Sequence, residues 1–373
     1  MYRPALKSNL SLGLLLVFAI ILFLVAGSSY VTIESDNYKQ KVEAANLMKA
    51  FMDTLKTEQE RLGIPFDRIN DPLETGLIGS ARTTITTDRG LLSVKQSALN
   101  PNLAAVFVEE FNKVNLTAGD HIAIGTTGSN PAVNLALYAA IQVMKLKPTI
   151  IVALSSASYG ANREEYTWLD MEAILKDKGM IDFGCDYASL GGKDDLGIGL
   201  SDTGISALLD AMRRNDVDPL LGSTLQENVK AREIVYDQLL PEGKRYKLFV
   251  NIGGGLANVG SEPNANQILE GFNTKLAEEE FVPEGIMMVM AKKNIPVFSM
   301  QHVQRWVKSY GLEFGTGEMA EPGVGPVFSM KKHNVTIAVI CLILLVAAII
   351  AVIILDRRDR HFMANIVDPD EEL

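Results

Sequence analysis

Cysteine and histidine are scarce in this chain, two and four among 373 residues. Cys185 and Cys341 are too few for a disulfide framework or a thiolate metal cage, and His121, His302, His333 and His361 are too scattered to mark a metal centre. No metal and no cofactor is expected. An excess of positive charge is missing as well: 35 Lys and Arg stand against 45 Asp and Glu, a net charge of −10. That balance argues against a nucleic-acid partner, because phosphate contact needs a basic face. Two long stretches lack charge of either sign, one between Lys7 and Glu34 and one between His333 and Asp356. The rest is ordinary for a folding chain. Apolar residues make up 47%, which excludes wholesale disorder, and the length allows two domains at about 150 residues each.

The uncharged stretches read as membrane spans. LSLGLLLVFAIILFLVAG (Leu10–Gly27) and NVTIAVICLILLVAAIIAVIIL (Asn334–Leu355) are each long enough to cross a hydrocarbon core of about 30 Å. Spans are expected over residues 10–33 and 334–355, leaving a short tail at 1–9 and an acidic one at 356–373. A cleaved signal peptide ending near Val25-Ala26-Gly27 is the alternative for the first, but its apolar region exceeds the roughly 7–15 residues usual there. Arg3, Lys7 and the amino terminus face Lys39 and Lys41 across span one; Arg357, Arg358 and Arg360 face Lys331 and Lys332 across span two. The count favours both termini in the cytoplasm and the intervening region outside it, at the cell membrane. With +2 on the first tail and −3 on the second, that region carries −9.

Between the spans, residues 36–62 contain no Gly or Pro and read as an amphipathic stalk helix. Val42, Ala45, Met48, Met52 and Leu55 form one stripe, for packing on the domain or as a coiled-coil face; Gly63 and Pro65 end it. Over 63–330 strands alternate with helices. A short strand is expected in Ala81–Thr87 and a helix in Asn102–Val114. Strand His121–Ile124 then precedes helix Pro131–Leu146, and strand Thr149–Leu154 precedes helix Glu165–Asp177. Strand Lys247–Ile252, helices Asn264–Lys275 and Gly285–Lys293, and strand Ile295–Met300 complete the series. The alternation implies an α/β domain with a parallel sheet covered by helices, Rossmann-like and doubly wound, flanked by the two spans.

Three segments carry the candidate chemistry. In Gly125-Thr126-Thr127-Gly128-Ser129-Asn130-Pro131 a strand ends, small polar residues turn, and Pro131 takes the first helical position with Ser129 or Asn130 as cap. Free N–H groups at such a helix start favour an anion, a carboxylate or phosphate. Neither the P-loop nor the G-x-G-x-x-G pattern is present. After the next strand, Ser156, Ser158 and Asn162 offer donors and Arg163 a guanidinium; an Arg163–Asp170 ion pair on a solvated loop is the plainer alternative. Gly253, Gly254, Gly255 and Asn258 form a third turn where backbone can approach a ligand. A catalytic set is weaker. Ser129 lacks the glycine two residues on that a nucleophile elbow uses, and a Ser129–His302 pair oriented by Asp170 or Asp194 is conceivable only if the fold assembles it. Lys193-Asp194-Asp195, within Gly191–Gly199, reads as a mobile loop, with metal binding the minor alternative. Trp168 and Met171 read as core.

Taken together, the two spans, GTTGSNPAVNLA (Gly125–Ala136), SSASYGANREEYTWLDME (Ser155–Glu172) and NIGGGLANVG (Asn251–Gly260) resemble the bacterial poly-γ-glutamate system protein family, over nearly the whole domain. The resemblance implies an accessory of poly-γ-glutamate capsule synthesis or export. Its partners would be the synthesis and export subunits in the membrane and the γ-glutamyl polymer or its chain end. It supplies no catalytic residues. The alternative is a serine-dependent amide hydrolase or transferase acting on that polymer. A region of −9 repels a long polyanion, so recognition of one end or a few carboxylates is the form expected.

Overall fold

The computed structural model describes residues 9–273, 276, 280–312 and 318–364. The tail before residue 9 and the last residues of the acidic tail fall outside them, as do the final expected helical positions Thr274 and Lys275. The chain divides into two compact units, Met1–Glu34 with Ser329–Leu373, and Ser35–Phe328.

In the terminal unit, helix Asn9–Ser28 packs against helix Val335–Ala364. Both are long and apolar enough to cross a bilayer, the first over 20 residues and the second over the 23 residues Val335–Arg357. At 1.5 Å per residue, 20 residues span about 30 Å. The second helix continues through Ala364, past the Leu355 boundary expected for the span. Unanticipated from the sequence, strands Tyr30–Glu34 and Ser329–His333 pair antiparallel, Tyr30 opposite His333 and Glu34 opposite Ser329.

The larger unit is mixed α/β around a seven-stranded, mostly parallel sheet. Across it the strands run Gly271–Asn273, Val297–Met300, Tyr246–Ile252, His121–Thr127, Lys147–Ala153, Tyr187–Ser189 and Asp218–Pro219. Only the Gly271–Asn273 edge is antiparallel. Strand residues alternate between two apolar cores. Ile122, Ile124, Ile150, Val152, Leu248, Val250 and Phe298 face a core shared with helices Tyr38–Arg61, Leu103–Lys113, Pro131–Met144 and Trp168–Asp177. Ala123, Ile151, Phe249 and Val297 face the other, with helices Leu225–Leu239 and Ile286–Lys292. Both faces of the sheet are therefore covered.

Several boundaries differ from the sequence expectation. The first strand runs on through Gly125, Thr126 and Thr127, because these pair in register with Ile151, Val152 and Ala153. Helix Trp168–Asp177 starts three residues late, since Asn162–Arg163 and Tyr166–Thr167 form a small hairpin and the Thr167 amide and hydroxyl both donate to Asp170, each at 2.7 Å. The helix expected from Asn264 is instead Glu262–Gln267, capped by the Ser261 hydroxyl, and the chain turns back at Gly271 into the edge strand.

Helix Tyr38–Arg61 belongs to this unit and buries Ala44, Ala45, Met48, Phe51, Met52 and Leu55 completely or nearly so. Its Lys41, 1% exposed, meets Glu109 at 2.5 Å and donates to the Val327 carbonyl at 3.2 Å and Ser35 Oγ at 2.9 Å. The Ser35 amide donates to the Phe328 carbonyl at 2.8 Å, so the chain enters and leaves this unit side by side. Glu109 is 31% exposed and stays solvated without Lys41, so the contribution of Lys41 is mainly its hydrogen bonds to Ser35 and Val327. Lys41→Met should therefore destabilise the full chain in detergent by about 1–2 kcal/mol, read as a lowered thermal midpoint. An unchanged midpoint would show that the clip contributes nothing.

Candidate functional site

Parallel pairing sets the strand ends flush. Thr127 lies opposite Ala153, Ala153 opposite Ser189, and Ile252 opposite Met300. The strand order also reverses beside His121–Thr127: the next three parallel strands step away on one side, and Tyr246–Ile252 returns to the other. Ligand crevices in open α/β sheets form outside the carboxyl ends at such a reversal. Here the loops leaving those ends enclose a cleft of about 370 Å³.

Of the expected site residues, Thr127, Ser129 and Asn130 of the first turn and Gly253, Gly254 and Gly255 of the third line this cleft together. The second turn contributes Ser155 and Ala157 instead of Ser156 and Ser158. The Ser156 hydroxyl is turned to the Ala157 carbonyl at 2.8 Å, and the Ser158 amide donates to the Asp88 carbonyl at 3.0 Å. Asn162 is fully buried, exchanging hydrogen bonds with the Ser80 backbone and donating to Thr86 Oγ1. Arg163 sits opposite Tyr166 in the hairpin and does not line the cleft, and Asp170 pairs with Arg214 at 2.6 Å instead of Arg163. The helix start lies beyond Arg163, so the two do not share a helical face.

The remaining candidates act from below. Thr126 Oγ1 donates to Asn134 Oδ1 at 2.5 Å, and Asn134 Nδ2 donates to the Thr127 carbonyl at 3.0 Å, holding the first turn. Gly125 packs beside the Asn258 amide. Under the third turn, Asn258 Nδ2 donates to Asn251 Oδ1 at 2.9 Å, and Asn251 Nδ2 donates to the Gly253 carbonyl at 2.8 Å. Two glycines are needed for shape. A Cβ on Gly128 would come within 2.6 Å of the Leu154 carbonyl oxygen, and Gly253 has φ +84°, a conformation side chains resist. The Gly254 and Gly255 amides donate to no acceptor among the described residues.

The fold does not assemble the Ser129–His302 pair. Ser129 Oγ accepts from the Ala157 amide at 3.0 Å, while the exposed His302 has its Nδ1 against Glu270 Oε1 at 2.6 Å and does not line the cleft. The Gly191–Gly199 segment, expected as a mobile loop, is tied to the fold at Asp195 while Lys193, Ile198 and Gly199 are exposed. Asp195 is buried, 2.8 Å from the equally buried Arg232 and accepting from Ser189 Oγ, which fixes Gly191, Gly192 and Lys193 at the cleft wall. Among the described residues no group of acidic, His or Cys side chains could hold a metal.

The sequence reading missed the principal charge. Lys95, on the short helix Leu92–Ser97, is 7% exposed and lines the cleft. Its Nζ donates to the Ser129 carbonyl at 2.5 Å and to Asn130 Oδ1 at 2.8 Å, so Asn130 stands at the expected cap position but its side chain serves Lys95 and not the helix. Burial pushes the amine down to about 8, with Asp88 opposing the shift. Exposed Arg89, Lys193, Asp88 and Glu262 ring the rim. The cleft thus has a cationic centre within an acidic chain, suited to holding an anion. Compared with protein-family models, with curated proteins and with solved structures, the chain matches none.

Two consequences can be measured. Arg232→Met leaves the Asp195 carboxylate buried without its partner and should lower stability by about 3–5 kcal/mol; a melting curve like that of the unaltered chain would contradict it. The unfolded chain keeps a Lys95 proton up to about pH 10.4, whereas the folded chain releases it near 8. Stability should therefore rise with pH across that window, relative to Lys95→Met, because the unfolded state binds more protons there. A flat difference between the two melting profiles would show the amine to be unperturbed.

Proposed function

We propose that this chain is a membrane-anchored accessory of poly-γ-glutamate synthesis or export. On this reading the two apolar helices span the cell membrane with both termini cytoplasmic, and the α/β domain is extracytoplasmic and of the doubly wound, Rossmann-like class. The observation that carries the reading is the cleft itself, where glycine-rich turns at a strand-order reversal meet the buried amine of Lys95. Carboxylates are what such a site attracts: backbone N–H groups and an ammonium both stabilise a localised negative charge. The sequence resemblance supplies the polymer, whose repeating unit presents free carboxylates. The −9 carried by the intervening region disfavours a long polyanion at range, so one chain end or a few residues is the cargo proposed. Binding, not turnover, is the role; the partners are the membrane subunits that make and export the polymer.

Calorimetry of the full chain in detergent micelles with short γ-glutamyl oligomers tests this. Binding to the oligomer and none to the same oligomer with its carboxylates amidated is the expected result. Absence of binding, or equal binding to the amidated form, would refute the proposal.

A further inference from the structure

We infer that Lys95 is the residue by which the cleft reads its ligand, seating one carboxylate or equivalent oxyanion beside the Gly254–Gly255 backbone. The inference rests on the cleft proposed above as a carboxylate site, and names the group that gives it its selectivity.

An ammonium has three donors and no acceptor. Two of those on Lys95 go to the Ser129 carbonyl and Asn130 Oδ1, both uncharged, and among the described residues no carboxylate forms an ion pair with it. Buried cations are otherwise paired, because leaving water without a counter-charge costs several kcal/mol. Lys41 and Arg232 follow that rule, meeting Glu109 and Asp195. Lys95 breaks it, and it is also the one of these three that lines the cleft. The simplest reason to hold a buried, uncompensated amine against an open volume is that the ligand brings the missing charge.

The surroundings bear on its titration. Asp88, at the end of strand Thr86–Asp88, acts on Lys95 through space; Arg89 follows it, Lys193 comes from the loop held by Asp195, and Glu262 from helix Glu262–Gln267. These four are exposed, where salt screens them, so they tune the site less than the buried amine does. The amine, pushed down to about 8 by its burial, is charged and able to hold an anion below that pH and loses the ability above it. A bound anion raises the affinity for the proton in return.

Binding to the full chain in detergent is measured with two probes whose charge stays constant, sulfate and an N-acetylated γ-glutamyl trimer, at about pH 7 and about pH 9.5. The unaltered chain should bind at least about tenfold more weakly at the higher pH, the loss of one charge-assisted hydrogen bond. Lys95→Arg should bind alike at both values, and Lys95→Met weakly at both, with thermal melting confirming its fold. The same pattern with sulfate but no binding of the trimer upholds the role of Lys95 and refutes the γ-glutamyl cargo. Binding by Lys95→Met equal to the unaltered chain, pH-independent binding, or binding of neither probe overturns the inference.

Discussion

In-register parallel pairing is the constraint on which the rest depends. Thr127, Ala153 and Ser189 lie side by side across three strands, and Ile252 and Met300 end level on the other flank. A strand that stops must turn, and strands only about 5 Å apart that stop together must turn in one place. The glycine-rich segments, separated by more than a hundred residues of sequence, meet for that reason. A shift of register by one residue would exchange the two cores, moving Ile122 and Ile124 to the face that now takes Ala123, so the apolar packing holds the ends level.

Each turn is backed by a buried polar relay. Thr126 and Asn134 stand behind the first, Ser189, Asp195 and Arg232 behind the wall at Gly191, and Asn251 and Asn258 behind the third. Such groups are tolerated only when bonded, and fully bonded they fix loops in one shape. Arg232 Nε and Nη1 and Asn258 Oδ1 are the exceptions, buried without partners among the described residues. The walls they back surround an amine that is buried without a carboxylate partner among the described residues. On the proposed reading, a bound anion would offset what burial of Lys95 costs.

Much of this was legible in the sequence, for local reasons. Strand, small polar turn and Pro131 are consecutive, so the first turn could be read within two residues; the Gly253–Gly255 turn likewise followed an apolar run. The apolar spans declare themselves by length. Lys95 could not be read, because nothing near Leu92–Ser97 says which strand end it will face, and that contact depends on the whole sheet. Ser156 and Asn162 look like ligand donors in a one-dimensional chain, yet the Ser156 hydroxyl turns to the neighbouring Ala157 carbonyl and the Ser80 backbone claims the Asn162 side chain. Helices Asp202–Arg214 and Leu225–Leu239 were overlooked although signals existed: Ser201 and Thr224 cap them, and Glu227 three residues after Thr224 completes a recognisable start.

Separate turns that make one anion site should respond to that anion as a unit. Hydrogen exchange of the full chain in detergent, with and without saturating γ-glutamyl oligomer, reads this out residue by residue. Convergence predicts that amides of residues 86–95, 125–131 and 251–257 slow together while those around 60–74 do not change. Slowing confined to a single turn, or seen only away from the strand ends, would contradict the account.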